Sequence, residues 1–592
     1  MARSHHAQRL RLALGLTGVV VVALVGFTGY QALQARDALQ TVASDFEEIA
    51  DALTSGEQES ARARLHSAQD AAAEASANTR GPGWWITSRL PGVGDDVDAV
   101  RTVADVTDRL AVDVLPTVID AGEKLTPESL RPTDGRIDTA PLAEVAPAVI
   151  RADAHMQLQE DRVAAIDTAE LNDALAEPVE LMQTKLADAA SLSAKASYAV
   201  RLLPSMLGAD GERTYLVLFQ NNAEVRATGG IPGAWATMTV HRGRIRLGQQ
   251  GGASDFGELP RPALPVTDEE LDLFSEELAL FPQNINFTPD FPRTAQLARA
   301  MWQERLGTAV DGVLSVDPVA LSYVLEGTGP VDLPGGERLG AEDAVPLLLN
   351  DLYSRLPDPA AQDAFFAAAA RAVFEKIVSG AGDPTEVLDG LTRGVREGRV
   401  YAWSSVEAEQ DLLAQTPLGG EIPLSPGVER PFVGVFLNDG TGAKMQYFLE
   451  HRVDVEPIAC NLEGRQELEV TVTLRSTAPR DPSQLPDYVV GMAEQIGVRP
   501  GSMRLVTHLY APVEGWVESS TIDGEELPVS SVDHLGHPVV TRTVDLAPGQ
   551  ARRLRYVVMT GLDQPGAVNL RVTPGAHSSG VGDVQTSACS AS

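Results

Sequence analysis

At 592 residues the chain is too long for one hydrophobic core, so several domains are expected. Its formal net charge of −35 excludes nucleic acid as a partner, because binding a polyanion requires basic patches that displace counterions. Only two cysteines occur and neither belongs to a C-x-x-C pair, which argues against a zinc or redox motif.

Residues 1–11 form a basic tail carrying Arg3, Arg9 and Arg11, followed by an uncharged run over 12–35. As a helix that run would extend about 36 Å, enough for a hydrocarbon core of about 30 Å. It predicts a single-pass anchor in the cell membrane, with a cytoplasmic N-terminus and an extracytoplasmic bulk. A signal peptide cut near Ala35 is the alternative.

Over 36–205 the pattern is helical, with Leu39, Val42, Phe46 and Ile49 recurring at spacings of three and four. Gly81-Pro-Gly-Trp-Trp85 and Leu90-Pro-Gly-Val-Gly94 interrupt it. An extracytoplasmic helical bundle or stalk is expected. Trp84 and Trp85 suit a membrane interface, a partner or, for at least one of them, the core.

The region 210–415 alternates strand runs (Tyr215–Phe219, Ala234–His241, Val310–Val316, Val400–Trp403) with helical ones (Thr294–Leu306, Pro318–Leu325, Ala341–Ser354, Ala360–Ser379). This predicts a layered α/β domain. A Pro- and Gly-rich linker follows at 416–431. Around eight short apolar runs in 432–578 then predict an all-β sandwich, with 579–592 as a tail. In an exported region Cys460 and Cys589 would pair as a disulfide or remain as two thiols.

No H-E-x-x-H, Walker loop or G-x-S-x-G elbow is present. The richest stretch is Tyr215-Leu-Val-Leu-Phe-Gln-Asn-Asn-Ala-Glu-Val-Arg-Ala-Thr-Gly-Gly230, an apolar run leading into amides, charges and paired glycines. It predicts either the rim of a site or a polar turn. Asn221, Asn222, Gly229, Gly230, Asn286 and Asp290 are the candidate ligand-binding residues, and Glu224, Arg226, Asp255 and Arg355 the candidate catalytic ones. Two of these have structural alternatives: Asp290 as a helix cap and Arg355 as a solvated helix-end cation.

The motif Gln220–Gly230, the segment Asn286–Pro292, Val310–Pro318, Leu325–Val331 and Val433–Lys444 together resemble a widespread bacterial family of membrane-anchored proteins, a domain of unknown function. More distantly, the central region is similar to the LytR-CpsA-Psr family of cell-wall glycopolymer transferases. The likeness rests on Tyr215–Phe219 with its polar end, Leu306–Asp317, Leu325–Val331, and Leu339–Val345 with Tyr353-Ser-Arg355. That resemblance implies transfer of a glycan from a polyprenyl-pyrophosphate carrier, with arginines and Mg²⁺ on the pyrophosphate. Where that family carries Arg-x-Asp-Thr, this chain has Arg226-Ala-Thr-Gly-Gly230, and Gln362 stands where an arginine is expected.

The expected function is therefore an extracytoplasmic cell-envelope protein that binds or transfers a glycopolymer or its polyprenyl-pyrophosphate-linked precursor. The alternatives are a non-catalytic envelope scaffold or glycan-binding protein, and a glycoside hydrolase using two of Glu224, Asp255 and Asp290.

Overall fold

The computed structural model describes residues 30–52, 57–333, 335–424, 430–461 and 463–591. They divide into two compact units: a helical one ending at Pro204, and one built from Leu130–Asp138 and Ser205 onward.

In the helical unit, residues 30–52 are helical and are followed by Gln58–Asn78, Pro82–Thr87, Gly94–Arg109, Leu115–Lys124, Ala140–Ala164 and Asp173–Met206. Ala38, Ala75 and Ala104 share one small cluster, while Ile49 and Ala52 meet Ala61 and Leu65 at the opposite end. These contacts fix the first two helices as antiparallel. The alanine-rich seam lets the helix axes approach closely. A π turn at Leu110–Val114 precedes Pro116, whose ring nitrogen cannot donate to the preceding turn, and the wider turn absorbs that missing bond.

Among the described residues no helix is long and apolar enough to cross a membrane, and this corrects the expected transmembrane anchor over 12–35. Residues 12–29 lie outside the described residues. Residues 30–35 open an amphipathic helix that buries Ala35, Ala38 and Val42 and exposes Asp37, Glu47 and Glu48. A helix with one apolar face packs in a bundle; it does not span lipid.

The second unit contains a five-stranded mixed sheet. Its strands are β1 (Arg213–Arg226), β2 (Gly229–His241), β3 (Arg244–Gly252), β4 (Gly312–Val316) and β7 (Val400–Ser404), with a ribbon of β5 (Val331–Asp332) and β6 (Arg338–Leu339) beside it. The order is β3-β2-β1-β4-β7, with β1 and β4 parallel and every other pair antiparallel. Helix Phe291–Leu306 covers one face, packing Phe291, Ala295, Ala298 and Trp302 against Leu216, Leu218, Val313 and Trp403. Helices Pro318–Thr328, Pro359–Val378 and Pro384–Arg396 belong to the same domain.

Two further sheets follow. One is ordered β14-β15-β11-β8-β17, from β8 (Phe432–Asp439), β11 (Met503–Tyr510), β14 (Val532–His534), β15 (His537–Leu546) and β17 (Asn569–Val572). The other is ordered β13-β12-β16-β10-β9-β18, from β9 (Leu449–Cys460), β10 (Gln466–Ser476), β12 (Trp516–Ile522), β13 (Glu525–Leu527), β16 (Ala551–Met559) and β18 (Val581–Val584). The buried side chains of β10 alternate along the strand. Leu468, Val470 and Val472 share one core with Val433, Val435, Leu505 and Leu509 of the facing sheet. The C-terminal residues expected to form a tail instead add β18 alongside β9, and Cys460 is disulfide-bonded to Cys589.

Candidate functional site

Strand β1 runs seven residues beyond its apolar part. Its pairing with β2 shifts at Phe219/Gln220 and again between Asn221 and Val225, so Asn222, Ala223 and Glu224 bulge out of the ladder. The bulge carries the motif into the β-rich half of the same unit. The Ala227 amide donates to Asn438 Oδ1 at 3.0 Å, and Thr573 Oγ1 donates to the Ala227 carbonyl at 2.8 Å.

Asn222 is fully buried, and its Nδ2 donates to Asp317 Oδ2 at 2.9 Å and to the Pro574 carbonyl at 3.4 Å. Arg399, just before β7, donates from Nη1 to the same Asp317 oxygen at 2.9 Å and to the Gly575 carbonyl at 2.9 Å. Asp317 also caps helix Pro318–Thr328 by accepting from the Ala320 amide at 2.7 Å. One buried carboxylate thus joins β1, β4, β7 and the strand end after β17.

Glu224 forms an ion pair with Lys444, and both side chains are largely buried. Burial opposes the Lys444 charge, yet the Glu224 carboxylate together with the Tyr353 and Tyr488 hydroxyls holds the ammonium above its ordinary range. Tyr353 and Tyr488 flank that ammonium, with ring centroids at 5.0 and 4.7 Å from Nζ. Burial pushes the Tyr353 hydroxyl up to about 12, and that hydroxyl accepts from Asn221 Nδ2 at 2.5 Å.

Arg226 is buried as well. Its Nη1 donates to the Val225 carbonyl at 3.0 Å and to that of Asp439 at 3.5 Å, its Nη2 donates to Asn284 Oδ1 at 3.3 Å, and its guanidinium lies 4.7 Å from the Phe287 ring. Burial lowers its pKa, against the charges of Asp439 and Glu224. Asp439 accepts from the amides of Thr441 (2.9 Å) and Gly442 (2.7 Å) and from Gln446 Nε2 (2.6 Å), which folds the Gly440–Lys444 loop around it.

The paired glycines serve the hairpin. Gly229 has φ +134°, and a Cβ on Gly230 would stand 2.2 Å from the Asn221 carbonyl. Gln220 Oε1 accepts from the Gly230 amide at 3.1 Å, and Asn286 Nδ2 donates to the Gly230 carbonyl at 2.7 Å and to Thr228 Oγ1 at 3.0 Å.

The remaining candidates stand apart from this group. Asp290 caps helix Phe291–Leu306 through the Arg293 amide (3.2 Å) and takes the Ile422 amide on its other oxygen (3.0 Å). Burial raises its carboxyl to about 6 despite those two donors. Asp255 is exposed and accepts from the Gly252 amide at 2.9 Å. Arg355 is exposed and paired with Glu337 at 2.6 Å.

The structure therefore brings together Asn221, Asn222, Glu224, Arg226, Gly229, Gly230 and Asn286, but not Asp255, Asp290 or Arg355. Sequence reasoning passed over Arg399, Asp317, Asp439, Lys444 and Tyr353 as members of the group. An arginine directly ahead of an apolar strand was the available signal for Arg399. The Mg²⁺ implied by the distant resemblance does not fit these residues. Among the described residues no three His, Cys, Asp or Glu side chains converge as a metal site, and Glu224 is neutralised by Lys444.

Residues 210–353 match the family described as "Protein of unknown function (DUF4012)". That stretch runs from just before β1 to Tyr353 and so contains the bulged motif. No curated protein matches the chain.

Proposed function

We propose that the protein is a non-catalytic scaffold or glycan-binding protein of an oxidising, extracytoplasmic compartment, in which the Gln220–Gly230 motif joins the α/β domain to the β-rich domain. The observation that carries this reading is the inward commitment of the motif: Asn222 Nδ2, the Glu224 carboxylate and both Arg226 Nη atoms bond groups inside the unit, while Asn222 Oδ1 and Arg226 Nε are buried without a partner. A guanidinium that must grip a departing pyrophosphate needs free donors facing a cleft, and Arg226 faces Phe287, Asn284 and Asp439 instead. The Cys460–Cys589 disulfide supports an oxidising compartment. The half-exposed Tyr488 ring, beside Tyr353 and Lys444, offers an aromatic face of the kind sugar rings stack on.

Two assays test the reading. Co-sedimentation with purified peptidoglycan should retain the wild-type protein and Asp255→Asn equally and lose Tyr488→Ala. A polyprenyl-pyrophosphate-linked saccharide incubated with the wild type should release no polyprenyl phosphate. Release that disappears in Glu224→Gln or Asp255→Asn would establish an enzyme and overturn the proposal.

A further inference from the structure

The turn between helices Gln58–Asn78 and Gly94–Arg109 treats two adjacent tryptophans differently. Trp84 is buried at 3% exposure, whereas Trp85 is 55% exposed. Ile86, Leu90 and Val93 are exposed beside it, so four large apolar side chains lie outward within nine residues. Scattered exposed apolar residues need no explanation, but a contiguous group on one knuckle does.

Several of the knuckle's backbone amides are bonded within it. Trp85 donates to the Gly81 carbonyl (3.2 Å), Ser88 to that of Trp84 (2.9 Å), Leu90 to that of Thr87 (3.0 Å) and Gly94 to that of Leu90 (2.9 Å). Arg89 folds back over the Trp85 ring at 3.8 Å and donates to the Trp85 carbonyl at 2.8 Å. Those donors stay paired when the surface leaves water.

Its place in the bundle names the occupant. The shared cluster of Ala38, Ala75 and Ala104 puts the start of the 30–52 helix at the same end as this knuckle, and Tyr30 and Leu33 are exposed there as well. The sequence immediately preceding Tyr30, residues 12–29, contains no charged side chain. We propose that this end of the bundle seats in the interfacial layer of a lipid bilayer, with Trp85, Ile86, Leu90 and Val93 entering the headgroup–acyl boundary. An indole with an arginine stacked on it is apolar in body and polar at its rim, which is the chemistry that boundary selects. Asp95 and Asp96 open the next helix, so apolar insertion, not attraction to anionic lipid, drives the contact. The proposal is independent of the scaffold reading above.

The test uses the full chain, whose native cysteines are paired, bound to phosphatidylcholine vesicles. A spin label on Ile86→Cys should collide several-fold more with oxygen than with a water-soluble nickel chelate. The same label on Leu192→Cys should show the reverse, because it is exposed about 20 Å along the last helix from Val179, which packs on Ala99 beside the knuckle. Water-like accessibility at position 86, or failure of the chain to float with the vesicles, would overturn the proposal. Shielding of position 86 from both reagents would do so too, by assigning the surface to a protein partner.

Discussion

Arg399 is a fully buried charge at the junction of the second unit's strands. Its side chain has no exposure, and Asp317 beside it is 1% exposed, so neither charge is screened by water. Asp317 Oδ2 accepts from both Arg399 and Asn222, while Glu397 pairs with Arg399 Nε at 2.6 Å and accepts from Tyr323 at 2.9 Å. A buried pair adds little net stability over an apolar replacement, but breaking one side leaves a charge with no compensation. Arg399→Met should therefore lower the unfolding free energy of this unit by about 3–5 kcal/mol. Adding Asp317→Asn should recover part of that loss, because the stranded carboxylate is then gone. Urea unfolding of both variants measures it, and a double variant no more stable than the single one would contradict this account.

Among the elements, the C-terminal segment shows what a cross-link contributes. β18 adds to the edge of its sheet, and Ser587 Oγ donates to Gln466 Oε1 at 2.8 Å before the chain reaches Cys589. The disulfide closes a loop of 129 residues, and restricting so long a loop in the unfolded chain is worth about 2–5 kcal/mol. Cys589→Ser should lower the unfolding midpoint accordingly and speed amide exchange in β18, with little change in the helical unit. Much of this architecture is visible in the sequence, because apolar alternation reports directly on a half-buried strand. Tyr215–Phe219, Val310–Val316 and Val400–Trp403 each fall within or across β1, β4 and β7. Strand β3 is not visible, since Arg244, Arg246, Gln249 and Gln250 give an edge strand little apolar signal. The helix read over Ala341–Ser354 is helical throughout Ala341–Arg355 and widens into a π turn at Leu347–Asp351 after Pro346. The same limit governs the motif. The polar half of β1 looks like a rim, because nothing local in the sequence says that Asp317, Lys444 and Asp439 will arrive to neutralise it. Partners 95 to 220 residues away leave no periodicity to read.

For the molecule as a whole, the buried histidines set the response to acid. His451, His508 and His534 are buried, and burial depresses each from its ordinary 6.5 to about 4. His451 Nε2 donates to the Thr573 carbonyl at 2.8 Å, which fixes the neutral tautomer. His534 Nδ1 lies 2.9 Å from the Tyr510 hydroxyl. Between pH 6.5 and 4 the unfolded chain binds protons that the folded chain refuses, so stability falls with falling pH across that window. Each group contributes up to about 3 kcal/mol, and the neighbouring His508 and His534 contribute less than twice one. Asp290 acts in the opposite direction. Its carboxyl is raised to about 6, so the folded chain holds that proton more tightly and gains stability as pH falls from 6 toward 4. Burial also raises the carboxyls of Asp363, Glu421 and Asp439, which act in the same direction as Asp290 and temper the effect of the histidines. The midpoint of the β-rich unit should thus drop between pH 7 and 5. His508→Asn with His534→Asn should flatten that drop, and Asp290→Asn should steepen it. Differential scanning calorimetry at four pH values checks all three. A slope unchanged in the double histidine variant would show that these rings do not carry the acid sensitivity.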